Sequence, residues 1–122
     1  MNTWYNDLQA MEEDDKYLQS VYRQLQADLA PDVQSRIPAT HIYPSRKCTY
    51  TIAKQRIFVK VRDAQGRLLP ECALRHVLLH ELAHVINPST GHDNSFYGML
   101  KWISSAVASC PSLVPRNFNP CH

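Results

Sequence analysis

No stretch of this 122-residue chain approaches the ~20 consecutive apolar residues that a membrane-crossing helix needs. Its start, Met1-Asn2-Thr3-Trp4, leads into an amphipathic segment and not into a secretory signal, so the chain reads as soluble and intracellular, cytoplasmic or nuclear. The four cysteines, Cys48, Cys72, Cys110 and Cys121, include no C-x-x-C pair, which removes the usual thiolate metal sites. Without a secretion signal free thiols are the expectation, although Cys110 and Cys121 stand close enough in sequence for a disulfide to be conceivable. Repeats and linkers are also absent, and 44% hydrophobic content is sufficient for one core, so residues 1–122 read as a single domain.

Acidic side chains are scarce in the middle of the chain. Residues 1–30 hold six acidic and two basic side chains, whereas residues 36–67 hold eight basic and one acidic, an asymmetry that the net charge of +2 conceals. The plain reading is a solvated, aggregation-resistant strand surface. The sharper one makes nucleic acid a partner of the basic residues 36–67, without the support of any recognised nucleic-acid motif.

What is present is the pentapeptide His80-Glu81-Leu82-Ala83-His84. On an α-helix, residues four apart lie about 40° from each other around the axis and ~6 Å along it, so both imidazoles can reach one metal. Glu81, one residue on, flanks that face and can act as a base on the attacking water. The surrounding Leu74 to Ile86 is apolar on nearly every other side, as in a buried helix, and such a helix carries polar groups only where something pairs with them. Pro70 suits the first helical position, Glu71 the first turn, and Asn87-Pro88 stops the helix.

A catalytic zinc usually takes three protein ligands and a water. After His84 the only histidines are His92 and His122, and the only carboxylate is Asp93. A glutamate ligand on a later helix is therefore excluded, and seven residues between His84 and His92 exclude the metzincin spacing. Gly91 offers a pivot that can return His92 to the metal, and His92 leads as third ligand because neutral imidazole is common at catalytic zinc. Asp93 competes for that place, and otherwise reads as the cap of the next helix or as a partner that orients a ligand. His76 is set aside, because ~12 Å of helical rise separates it from His84. His41 and His122 have no motif around them. Tyr43, Tyr50 and Tyr97 are the candidate donors to a developing oxyanion.

The run His80-Glu81-Leu82-Ala83-His84, then Gly91-His92-Asp93, then Phe96-Tyr97, resembles the WLM and SprT-like zinc metalloproteases over residues 74–102. The resemblance implies a zincin fold, His80, His84 and His92 as ligands of Zn2+, and Glu81 as general base. Because those families are associated with cleaving proteins crosslinked to DNA, it also implies a link to nucleic acid. The loop before His92 is longer than the WLM pattern and shorter than SprT-like loops, which leaves the branch open.

The remaining elements fit an α+β domain. A long helix runs from about Thr3 to Leu29, with Leu8, Met11, Leu18, Tyr22, Leu25 and Leu29 on one stripe, Asp15 interrupting it and Pro31 ending it. Lys47 to Ala53 and Arg56 to Arg62 read as strands of a hairpin, with Ile57, Val59 and Val61 on the apolar face. Asp63 to Gly66 is a turn, Ser95 to Ala108 a final helix with Phe96, Met99, Leu100, Ile103 and Val107 inward, and the tail from Pro111 irregular. An exposed strand edge in the Cys48 to Val61 region is expected to pair with extended substrate. The expected function is a zinc-dependent endopeptidase acting on protein or peptide substrates. The alternative is a catalytically weak, zincin-like zinc-binding interaction or structural protein.

Overall fold

Leu18, Val21, Tyr22, Leu25 and Leu29 recur at three- and four-residue steps, which places them on one helical face. In a computed structural model of the chain, which describes residues 3–87, 94–108 and 110, and of residues 3–10 the backbone alone, these five are buried on helix α1, Thr3–Asp28, and just past its end. The acidic break in this stripe is Asp14 and not Asp15. Asp15 is exposed, whereas Asp14 is buried and accepts a 2.9 Å hydrogen bond from Arg62 Nε. A buried carboxylate needs such a partner, and this one lies 48 residues away, beyond the reach of a helical pattern. Pro31, expected only to end α1, also opens a short helix α2, Pro31–Gln34. Gln34 Nε2 turns back to donate to the carbonyls of Gln26 and Leu29 at the end of α1.

The sheet has three strands where the sequence pattern indicates two. Strand β1 is His41–Ser45, β2 is Tyr50–Ile52 and β3 is Arg56–Lys60, in the order β1-β3-β2. β2 and β3 form the expected antiparallel hairpin, with β2 shorter than its pattern. β1 lies parallel to β3 on the other side. Pro44 hides β1 from a pattern search, because proline weakens a strand reading, yet it is tolerated on an edge strand. Ile42, Ile57 and Val59 face the core, and Val61 continues that face beyond β3. Beyond β3 the Asp63–Gly66 turn closes as expected: Gly66 N–H donates to Asp63 O, and Gly66 has φ +78°.

Helix α3, Glu71–Ile86, carries the pentapeptide, with Pro70 in the capping position and Asn87 at the other end. The last expected helix divides into α4, Asn94–Ile103, and a tighter 3₁₀ turn, Ser104–Val107. Phe96, Ile103 and Val107 are buried, and Met99 and Leu100 pack partly buried against the same core. That core is one contiguous cluster drawing on α1, β3, α3 and α4. Arg75, itself buried, joins three of these pieces by donating to Asp28 (2.7 Å) at the end of α1 and to the Ala106 carbonyl (3.2 Å) of the 3₁₀ turn.

The expectation of free thiols is overturned. Cys72, in the first turn of α3, is joined to Cys110, just after the 3₁₀ turn, and Cys48 is also disulfide-bonded. The pairing follows from tertiary packing: α3 and the 3₁₀ turn lie side by side, which brings together residues 38 apart in sequence. Free thiols are what the intracellular reading leads one to expect, and the disulfides run against that premise, since disulfides persist chiefly in oxidising surroundings. Among the described residues no helix is long and apolar enough to cross a membrane. The expectations for the Leu8 side chain, for Gly91-His92-Asp93 and for the tail from Pro111 lie outside the described residues.

Candidate metal centre

A rotation of 100° per residue puts His80 and His84 on one face of α3 and Glu81 beside them. One donor atom each from His80, Glu81 and His84 lies within 4.8 Å of the others. His84 is buried, Glu81 is 0% exposed and His80 is half-buried, so the group opens to solvent through His80. The two imidazoles are nitrogen donors that suit zinc and lie close enough to share one ion, with the Glu81 carboxyl beside them.

A carboxylate at 0% exposure is stabilised only by specific contacts. Thr51 supplies one: its hydroxyl donates to Glu81 Oε1 at 2.8 Å. Thr51 reaches inward because it pairs with Ile57 in the β2–β3 register, and Ile57 is a core residue. Burial pushes the Glu81 carboxyl from 4.5 up to about 7, while the Thr51 hydrogen bond pulls it the other way. Desolvation outweighs the one hydroxyl.

Two further residues hold the group in place. Lys54 Nζ donates to the carbonyls of His84 and Asn87, both at 2.6 Å. It places a positive charge on the negative end of the α3 dipole and satisfies carbonyls that the helix leaves open. Lys54 and Ala53 both have positive φ, +55° and +54°, in the tight turn between β2 and β3. Neither is the glycine or asparagine usual there. The second residue is Phe96 of α4, whose ring stacks on His84 (centroids 4.4 Å, 27°) and meets His80 edge-on (5.0 Å, 65°). It packs α4 directly against both imidazoles. Next to them, a cavity of about 180 Å³ between α3 and the α4 segment is lined by His76, His80, Leu79, Leu100 and Val107.

The other sequence candidates separate cleanly. His76 lies one turn before His80, half-buried on the cavity wall and outside the three-residue group, as the helical rise requires. His41 is exposed at the start of β1. Tyr43 and Tyr50 stack with Phe58 on the outer face of the sheet, whereas Thr51, next to Tyr50 in the alternation, faces Glu81. They are turned away from the site, and of the three tyrosines only Tyr97, on α4 beside Phe96 and 57% exposed, stays near it. His92, Asp93, Cys121 and His122 lie outside the described residues. Thr51 and Lys54 were missed as site residues. Each acts across 30 positions of sequence, and the only available signal was that both sit in the hairpin expected beside the metal.

The sequence model of the WLM domain matches residues 51–116, more than half of the chain. The chain belongs to the WLM domain family. That assignment places it in a zinc metalloprotease-like family and answers the question of branch that the His84–His92 spacing left open. The WLM match begins at Thr51, so it takes in both the hydroxyl on Glu81 and the Lys54 clamp, and it extends past Cys110. No curated protein and no solved structure compared with the chain matches it.

Proposed function

We propose that this WLM domain is a zinc-dependent endopeptidase that hydrolyses peptide bonds in protein substrates, with Glu81 as general base and His80, His84 and His92 as metal ligands. The observation that carries this reading is the convergence of His80, Glu81 and His84 within 4.8 Å, on a helix otherwise committed to the core. A zinc ion bound there would supply Lewis acidity toward a peptide carbonyl and acidify the attacking water. Glu81, held by Thr51, accepts the proton of that water and passes it to the leaving amine.

Substrate enters beside β2. Among the described residues no strand pairs with its outer edge, and β2 contributes Thr51 to the site, so an extended peptide can add to that edge within reach of Glu81. Main-chain pairing of this kind carries little sequence selectivity, and the neighbouring cavity accepts an apolar side chain.

The test is cleavage of an unfolded protein such as casein, with metal content measured in parallel. Glu81→Gln should retain zinc and lose activity by a factor on the order of a hundred or more, and a chelator should abolish wild-type activity until zinc is restored. Equal turnover by wild type and variant would instead leave the reading of a zinc-binding protein with negligible catalysis. Metal analysis of His92→Ala and Asp93→Ala assigns the third ligand.

A further inference from the structure

Taking His80 and His84 as the metal ligands of the proposed function, we propose that Phe96 is a positioning residue that couples metal loading to the docking of α4. Within α4 only Phe96 and Ile103 are buried, and Ile103 is the last residue of the helix. The far end is fastened independently of the site, by the Cys72–Cys110 disulfide beyond the 3₁₀ turn and by the hydrogen bond from Arg75 to the Ala106 carbonyl. The near end has Phe96 as its one buried anchor. That anchor rests on the ligand pair: its ring centroid lies 4.4 Å from His84 and 5.0 Å from His80, while the two imidazoles stand 5.1 Å apart at 71° to each other. One ring therefore restrains two ligand side chains. A stacked ring covers the face of the His84 imidazole, whereas a metal is bound in the plane of an imidazole through a nitrogen lone pair. Phe96 thus holds this ligand without competing for its donor atom.

The near half of α4 depends on that anchor. Asn94, Ser95, Tyr97 and Gly98 are exposed, so no other side chain of the first five residues ties the helix to the core. A ten-residue helix is marginal without tertiary packing. Gly98 weakens it further, since glycine lowers a helix equilibrium about fivefold relative to alanine. Packing does not call for that glycine: a Cβ at Gly98 would meet no atom within 4 Å, and its φ lies outside the left-handed region. His92, the proposed third ligand, precedes Phe96 by four residues in sequence, so seating Phe96 also shortens the search for that ligand. Coupling of this kind is reciprocal. To the extent that seating Phe96 orders the ligands, bound metal favours the seating of α4 by the same factor. Phe96 acting as core packing alone would contribute stability with no such reciprocity.

The experiment measures zinc affinity by competition with a chromophoric chelator, the absorption of the cobalt-substituted protein, and hydrogen exchange of α4 amides with and without zinc. All three are read without turnover. Zinc should protect the near half of α4 more than the 3₁₀ turn. Phe96→Leu should weaken zinc binding about ten- to a hundredfold, shift the cobalt bands and abolish the zinc-dependent protection of α4. Phe96→Met, a more adaptable filler, should act in the same direction, and thermal melting verifies that each variant is folded. Ile103→Val trims the other buried anchor and should lower thermal stability with zinc affinity and cobalt bands unchanged. Gly98→Ala should tighten zinc binding, with about fivefold as the ceiling. Unchanged zinc affinity in both Phe96 variants, an equal loss in Ile103→Val, no gain in Gly98→Ala, or no zinc-dependent protection of α4 would overturn the coupling. A wild type that binds no zinc would overturn it together with the metal reading. A zinc-binding protein that fails to cleave casein would overturn the peptidase reading alone.

Discussion

Glu81 carries a proton-linked instability in the metal-free protein. Its carboxyl rises from an ordinary 4.5 to about 7 on folding, so the folded state holds the proton more tightly than the unfolded state does. The resulting stabilisation is complete below pH 4.5, declines as pH rises and is lost above about 7. Metal-free protein should therefore lose stability on the order of 3 kcal/mol between about pH 4 and pH 8. Glu81→Gln should flatten that dependence, which urea unfolding at the two pH values would reveal. Thr51 makes a second prediction at the same scale. Hydrogen bonds to charged groups contribute about 1.5–3 kcal/mol, so Thr51→Val should lower kcat/KM on the order of ten- to a hundredfold with zinc content unchanged. Thr51→Ser, which keeps the hydroxyl, should restore most of it. If Thr51→Val loses zinc in proportion to activity, the hydroxyl supports the metal centre as a whole and not Glu81 in particular.

At the level of elements, the β2–β3 turn and the end of α3 are one unit. Ala53 and Lys54 both occupy the left-handed region, where a side chain costs about 1 kcal/mol relative to glycine. At Ala53 nothing offsets that strain, so Ala53→Gly should stabilise the protein by roughly 0.5–1 kcal/mol. At Lys54 the ammonium caps α3 through the His84 and Asn87 carbonyls. Lys54→Gly relieves the same backbone strain yet should destabilise by about 1–2 kcal/mol, because two carbonyls lose their donor. Opposite signs at adjacent positions in chemical denaturation would establish the clamp. Matching stabilisation at both would dismiss it. The pentapeptide helix itself was legible because its periodicity and stops are local. Strand β1 was not, because its pairing with β3 is long-range and Pro44 argues against a strand in any local window.

Across the whole molecule, α3 is held at both ends. Lys54 fixes its C-terminal end, and the Cys72–Cys110 disulfide ties its first turn to the segment after the 3₁₀ turn. A cross-link closing 38 positions of sequence contributes roughly 3–4 kcal/mol on the chain-entropy account. The reduced protein, or the double variant Cys72→Ser and Cys110→Ser, should melt at a markedly lower temperature than the oxidised wild type. An unchanged melting temperature after reduction would mean that packing of α3, α4 and α1 suffices without the bond. Arg75 ties the same elements by hydrogen bonds to Asp28 and Ala106, so its truncation should add to the loss on reduction.

The amino-acid order by itself determined everything that depends on neighbours a few residues apart. It placed His80, Glu81 and His84 on one helix face, alternated Ile57 and Val59 against Phe58 and Lys60, and set the long amphipathic stripe of α1, because helical and strand periods are local geometry. Only the tertiary structure decided which distant groups complete them. The contacts of Thr51 and Lys54 with α3, of Arg62 with Asp14 and of Cys72 with Cys110 each span 30 or more positions, and the stacking of Tyr43 and Tyr50 on Phe58 needs two registers to agree. Such contacts form where packing of the core brings chain segments together, and no local pattern records which segments those will be.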